Sequence, residues 1–222
     1  MKITIPFFLF LFLFGSFSVA AQNQETTTAP PRKFYIGVNY TNTQYFLKPK
    51  NYIPADAGFY PNFITYPGLN VGYKLGKRAS IQIGLAYAHE NRQMGSENNN
   101  TGVIEGSYDS ISTRGGIIPL TLRYNFLNIG KRLNFYGTSS LAAAYGKTTV
   151  NHTSTLNQEV TDKYQLKKSA FNMYLSLGLG LNYKLGDRFD VFGEMLLLNK
   201  NLNTGYKNQA STLNVGFNYK FK

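Results

Sequence analysis

Phe171-Asn172-Met173-Tyr174-Leu175-Ser176-Leu177-Gly178-Leu179-Gly180-Leu181-Asn182-Tyr183-Lys184-Leu185 alternates without a break between large apolar side chains and small or polar ones. Successive side chains of a strand point to opposite faces, so this period of two builds one greasy face and one polar face. A helix would scatter the two sets around its circumference. The run is also long enough to cross a bilayer as a tilted strand, which takes about 9–11 residues.

The same period recurs on both sides of that stretch. Residues 34–41, 69–75, 81–88, 118–126, 133–145, 189–197 and 213–221 repeat it. In 133–145 Gly137 and Ser139 dilute the apolar face. In 189–197 the pattern is least regular, because Leu196 and Leu198 make both faces apolar. Six charged residues fall within these segments: Lys74, Arg123, Lys184, Asp190, Glu194 and Lys220. All six lie on the polar face. A Lys or Arg turned toward lipid at mid-membrane costs about 2–4 kcal/mol, whereas an inward one can find polar partners. A soluble barrel would place the apolar face inside. Its water-facing side would then be the Gly, Asn, Thr, Ser, Lys and Tyr set, which suits a hydrogen-bonded interior better. The expectation is therefore all-β: an eight-stranded antiparallel up-and-down transmembrane β-barrel over residues 33–222.

Composition agrees. The chain has 222 residues with 17 Tyr, 17 Phe, 21 Gly and no Cys, a mixture that favours strands and turns. Without disulfides, an exported chain needs another stabiliser, and a membrane can be one. Export itself is expected from residues 1–21. Met1-Lys2, the apolar run Ile3 to Val19 and the small residues Ser18, Ala20 and Ala21 have the layout of a cleaved signal peptide. Residues 22–32, with Thr26-Thr27-Thr28 and Pro30-Pro31, read as a flexible tether.

Connection lengths give a direction. Those near 48–67, 91–115, 147–169 and 199–210 are long, and those near 76–79, 127–132 and 186–188 are short. Alternate connections of an up-and-down barrel share a side, so short periplasmic turns and long extracellular loops are expected. At the short-turn end, outward Tyr73, Tyr124, Tyr183 and Tyr219 are expected to form a periplasmic aromatic girdle. Beside them the inward bases Lys74, Arg123, Lys184 and Lys220 need counter-charges. Hairpin register suggests Lys184 pairs with Asp190 across the 186–188 turn, with Glu194 one layer deeper. The net charge of +12 and the basic rim, including Lys77, Arg78, Lys131 and Arg132, suit anionic lipid headgroups. No groove-reading element for nucleic acid is visible.

Chemistry-bearing residues are sparse. His152-Thr153-Ser154 with Glu159 supplies the residue types of a base-activated nucleophile. These residues fall in a Thr- and Asn-rich external connection, where a solvated His is the simpler reading. His89 reads as an interfacial polar residue on the lipid face, followed by inward Glu90. Two His and no Cys give no metal-ligand spacing. Glu97, Glu105 and Asp109 lack the spacing of a calcium loop, and the glycines form no phosphate cradle. No catalytic residue, metal or cofactor is predicted. Eight strands leave an interior just wide enough for side chains, so no open pore is expected.

Two segments carry a family resemblance. Asn214-Val215-Gly216-Phe217-Asn218-Tyr219-Lys220-Phe221 resembles the C-terminal assembly signal of outer-membrane barrels, with Asn214, Gly216, Tyr219 and Phe221 in its marked positions; Lys222 follows the usual terminal aromatic. Ile117-Ile118-Pro119-Leu120-Thr121-Leu122-Arg123-Tyr124 resembles the Ile-Pro-Leu strand of the outer-membrane β-barrel domain family of Bacteroidota, which includes PorT-like proteins. The resemblance implies an outer-membrane address, insertion by the barrel-assembly machinery and contact with membrane lipid and lipopolysaccharide. It implies no reaction. The role expected is structural or surface interaction with a ligand the sequence does not name. Lipid-A modification, or a narrow channel or secretion accessory, are the alternatives.

Overall fold

The computed structural model describes residues 33–48, 60–65, 67–100, 103–205, 207–208 and 212–221. The expected signal peptide at 1–21 and tether at 22–32 lie outside the described residues. The strands in chain order are β1 (Phe34–Thr41), β2 (Gln44–Phe46), β3 (Asn62–Ile64), β4 (Gly68–Lys74), β5 (Ala79–Asn100), β6 (Val103–Ile129), β7 (Leu133–Leu156), β8 (Glu159–Lys184), β9 (Phe189–Asn201), β10 (Lys207–Asn208) and β11 (Thr212–Lys220).

Eight of these, β1, β4 to β9 and β11, form one antiparallel ring. Chain neighbours pair along the ring, and β1 closes it by pairing with β4 on one edge and β11 on the other. Closure removes the unpaired strand edges that lipid could not satisfy.

The ring is inside-out. Leu85 is 58% exposed and Leu179 48%, whereas Arg123 is 6%, Lys220 5% and Glu194 4% exposed. Apolar side chains on the outer surface and ionised ones within are stable only where the surroundings are hydrocarbon.

Inward glycines serve as seats for rings. Tyr35 lies opposite Gly72, Tyr136 opposite Gly180 and Phe192 opposite Gly216. A Cβ on any of these glycines would overlap the facing ring. The interior is therefore filled by aromatic side chains lying flat across neighbouring strands. Pro119 follows similar logic. It has no N–H to donate, and the β5–β6 ladder is interrupted at Gly84–Leu85 opposite Ile118–Pro119. Its ring packs over the space that Gly84 leaves open.

Two expectations change. The connections expected as loops at 91–115 and 147–169 are paired strand for most of their length. β5 has 22 residues, β6 27, β7 24 and β8 26. Above the membrane both faces of such strands can be polar, so the hydropathy alternation disappears while the backbone stays extended. The apolar double face of Leu196 and Leu198 arises from a β-bulge. Leu177 opposes Leu198 and Gly178 opposes Leu196, leaving Leu197 unpaired. Beyond it the inward parity switches from even to odd, so Glu194 and Asn199 are both buried.

Candidate functional site

Three regions hold the polar chemistry: a charged layer near the short turns, a hairpin inside the opposite mouth, and the strand extension beyond that mouth.

In the charged layer, Arg123 of β6 reaches across the interior to Glu194 of β9, with Nη2 and Oε1 2.6 Å apart. Tyr136 donates its hydroxyl to the same carboxylate oxygen at 2.9 Å, and Asn214 donates its amide to the other at 2.7 Å. The guanidinium lies 4.5 Å from the Phe192 ring centroid and 5.3 Å from that of Tyr136. Arg123 and Glu194 sit on strands separated by β7 and β8 in the ring, so the pair braces the barrel across its interior.

Lys220 pairs with Asp190 at 2.5 Å. This corrects the expected Lys184–Asp190 pair. Lys184 does stand opposite Asp190 in register. However, the Asp190 side chain turns inward toward the β11 side, where Lys220 takes it. Register fixes Cα neighbours but not which of two inward bases reaches a shared carboxylate. Lys74 and Lys184 are half-exposed at the same mouth.

The tyrosines expected as a girdle sit on the outer surface beside the short turns. Tyr73 packs against Phe34 at 4.8 Å, and Tyr219 lies 5.1 Å from both Phe189 and Phe221. Tyr183 is exposed, and Tyr124 is half-buried. Asn214, Gly216, Tyr219 and Phe221 belong to or adjoin β11, which pairs on both edges.

At the other mouth, β2 and β3 form a small hairpin of their own. Its apolar side chains turn into the ring. Leu47 and Phe63 are fully buried, and they cluster with Tyr45, Ile117, Ala142, Ala144 and Tyr174. The Phe63 ring fills the space over Gly115 and Gly146. Polar groups of β8 and β9 latch the hairpin backbone. Asn172 accepts from the Lys48 N–H at 2.8 Å and donates to its carbonyl at 2.9 Å. Tyr174 donates to the Phe46 carbonyl at 2.5 Å. On the far side, inward Glu90 accepts from the Ile64 N–H at 2.9 Å. The sequence reading missed this plug. Its one available signal was the pair Asn172 and Tyr174 on the inward face of a spanning strand.

In the extension, His152 Nδ1 lies 2.7 Å from Asp109 and its Nε2 2.9 Å from the Ser154 hydroxyl. The ring stacks on Tyr164 at 4.7 Å. The expected third member, Glu159, is not there. It stands opposite Leu156 beside the tight turn, whereas Asp109 is the direct cross-strand neighbour of His152. His89 is exposed and opposite Arg114. At the far edge, the Glu97 carboxylate accepts the Tyr108 hydroxyl and raises that phenol above its ordinary pKa.

A closed antiparallel ring with an apolar outer belt, a charged interior layer and short turns at one end is an integral outer-membrane β-barrel. The chain belongs to the outer membrane protein β-barrel domain family, whose model matches residues 9–221. Among solved structures it is similar to the attachment invasion locus protein Ail of Yersinia pestis, at 15% identity over 86% of this chain and 100% of that one, with a TM-score of 0.39. It is also similar to Neisserial surface protein A, at 12% identity over 85% and 97% of the two chains, TM-score 0.44. The N-terminal β-barrel domain of Pseudomonas aeruginosa OprF gives 14% identity over 86% and 98%, TM-score 0.41. No curated protein matches the chain.

Proposed function

We propose that this barrel is a closed, non-conducting platform whose role is structural or surface interaction, exerted through the paired extensions of β5–β6 and β7–β8. One observation carries this reading: strands of 22–27 residues are two to three times the roughly 9–11 needed to span the bilayer. The excess is ordered sheet outside the membrane, and an ordered surface can bind without the entropy cost of ordering a loose loop. The lumen supports the closed reading, since the β2–β3 hairpin and the charged layer fill it at two levels. We assign the long hairpins to the cell exterior and the short turns to the periplasm, with export by a cleaved signal at 1–21, insertion by the barrel-assembly machinery and lipopolysaccharide around the outer rim. Kinship to PorT-like barrels of Bacteroidota is part of the same proposal.

The test trims each hairpin to spanning length, removing 91–115 and 147–169 with short turns in their place. The trimmed protein is expected to reach the outer membrane and to keep its heat-modifiable gel mobility, while losing surface binding or adhesion. Surface behaviour unchanged by the trimming overturns the reading.

A second reading rests on one contact set, Asp109–His152–Ser154. An oriented imidazole can take the serine proton as general base, the arrangement an acyl hydrolase needs. Catalysis would also need donors for an oxyanion. The broad concavity of the extension is lined by Asp109 together with Tyr108, Ser110, Asn151, Thr153 and Gln165, but not by His152 or Ser154. A fluorophosphonate probe decides it: labelling lost in Ser154→Ala would establish the hydrolase, and no labelling of the wild type would end it.

A further inference from the structure

We infer that the short-turn mouth of the barrel is a binding site for a small tetrahedral oxyanion of the phosphate class. A cavity of about 150 Å³ opens there, lined among others by Lys74, Lys77, Arg78, Arg123, Lys184 and Asp190. Five of those six side chains are basic. The single acid is already neutralised by Lys220, and the deeper Glu194 is engaged by Arg123. Among the described residues no carboxylate lies within ion-pair distance of Lys74 or Lys184. Lys74 lies within electrostatic reach of the two like charges Lys220 and Lys184 as well as of Asp190.

The arrangement is costly without an anion. Unpaired charge in a partly desolvated cavity is destabilising, and low-dielectric walls focus the resulting positive potential on the opening. A second observation points to a ligand. Arg123 is 6% exposed and lines the cavity, yet its Nε–H meets no acceptor. Buried N–H groups normally find one. An oxyanion in the cavity would accept from ammonium groups on two sides, and guanidinium and ammonium donors are the usual partners of phosphate. Asn128, Asn134 and Asn182 add neutral amides around it.

Size restricts the ligand class. Sites for drug-sized molecules run to about 300–1,000 Å³, so the mouth holds a phosphate group and a few waters, and anything attached to the phosphate projects out of the opening. The phosphate could arrive as a free ion or as the headgroup of an inner-leaflet phospholipid. The site does not depend on the surface-interaction reading, because it lies at the other end of the barrel.

The experiment uses the full-length protein reconstituted in vesicles of a neutral, phosphorus-free glycolipid, digalactosyldiacylglycerol. Acylation of Lys74 and Lys184 by an amine-reactive reagent is quantified by peptide mass spectrometry. One arm adds inorganic phosphate against chloride at matched ionic strength. The other replaces part of the lipid with phosphatidylglycerol and omits phosphate. Saturable protection of both lysines, at least fivefold over chloride, is expected in one arm or the other, and the arm identifies the source. Protection in neither arm overturns the site. Phosphorus-31 NMR supplies a second readout: line broadening of phosphate by the wild type should weaken at least tenfold in Lys74→Gln/Lys184→Gln and persist in Lys74→Arg. Equal broadening by the Gln pair overturns the assignment. Gel mobility before and after boiling verifies that each variant is folded.

Discussion

Arg123 and Glu194 show how a single pair can brace a barrel. Their separation around the ring means that each holds a distant strand, and both are buried. Removing one partner of such a pair leaves a buried charge and typically costs about 3–5 kcal/mol, whereas replacing both with packed apolar residues is often near neutral. Glu194→Gln is therefore expected to lower folding stability by about that amount in bilayers or detergent, and Arg123→Met/Glu194→Leu to recover most of it. Urea titration of the folded gel band measures both; equal stability of Glu194→Gln and wild type would remove the brace from the account. Glycine positions give a sharper contrast. A Cβ at Gly180 would overlap the Tyr136 ring, while one at Gly137 would meet open space. Gly180→Ala should cost about 1–3 kcal/mol through displaced packing, and Gly137→Ala should be close to neutral in the same titration.

At the scale of elements, the β2–β3 hairpin decides whether the ring is a tube or a plugged cylinder. Its hold depends on a few directional bonds, chiefly those from Asn172 and Tyr174 to backbone groups of residues 46 and 48. The natural chain has no Cys, so Leu47→Cys gives a clean reporter at a fully buried plug position. It is expected to resist maleimide in the otherwise native protein and to react at least tenfold faster once Asn172→Ala and Tyr174→Phe are added. Reaction at the same rate in both backgrounds would show that the latch does not hold the plug. The β7–β8 hairpin ends in a two-residue turn, Asn157-Gln158, with φ of 50° and 71°. Asn tolerates this left-handed geometry and Gln does so poorly. Gln158→Gly should tighten the tip, seen as slower amide exchange of Leu156 and Glu159.

For the whole molecule, stability comes from the match between the outer belt and hydrocarbon. Leu179, near the middle of the 171–185 run, faces outward and Ser140 faces inward. Leu179→Lys is expected to destabilise by about 2–4 kcal/mol in bilayers. Ser140→Lys should cost less, since an inward ammonium can reach Glu194 or water in the interior. The comparison is made in phosphatidylcholine bilayers by reversible denaturant titration, and the reverse order would contradict the inside-out arrangement.

The fold was legible because it rests on local alternation. Each residue from Phe171 to Leu185 declares its face by its own chemistry, and lipid enforces that choice on every spanning strand with the same sign. Ring order and the short turns then follow, since consecutive antiparallel strands pair with little choice. What alternation does not encode came only with the tertiary structure. Strand extensions with two polar faces carry no hydropathy period, so 91–115 and 147–169 read as loops. The plug is three-residue strands with no pattern of their own, held on the β8 side by partners more than a hundred residues away. The choice of Lys220 over Lys184 at Asp190, and of Asp109 over Glu159 at His152, depends on where side chains end in space. Lipid selects faces residue by residue, and composition records that selection; which inward groups meet across the lumen depends on the closed ring bringing distant strands together.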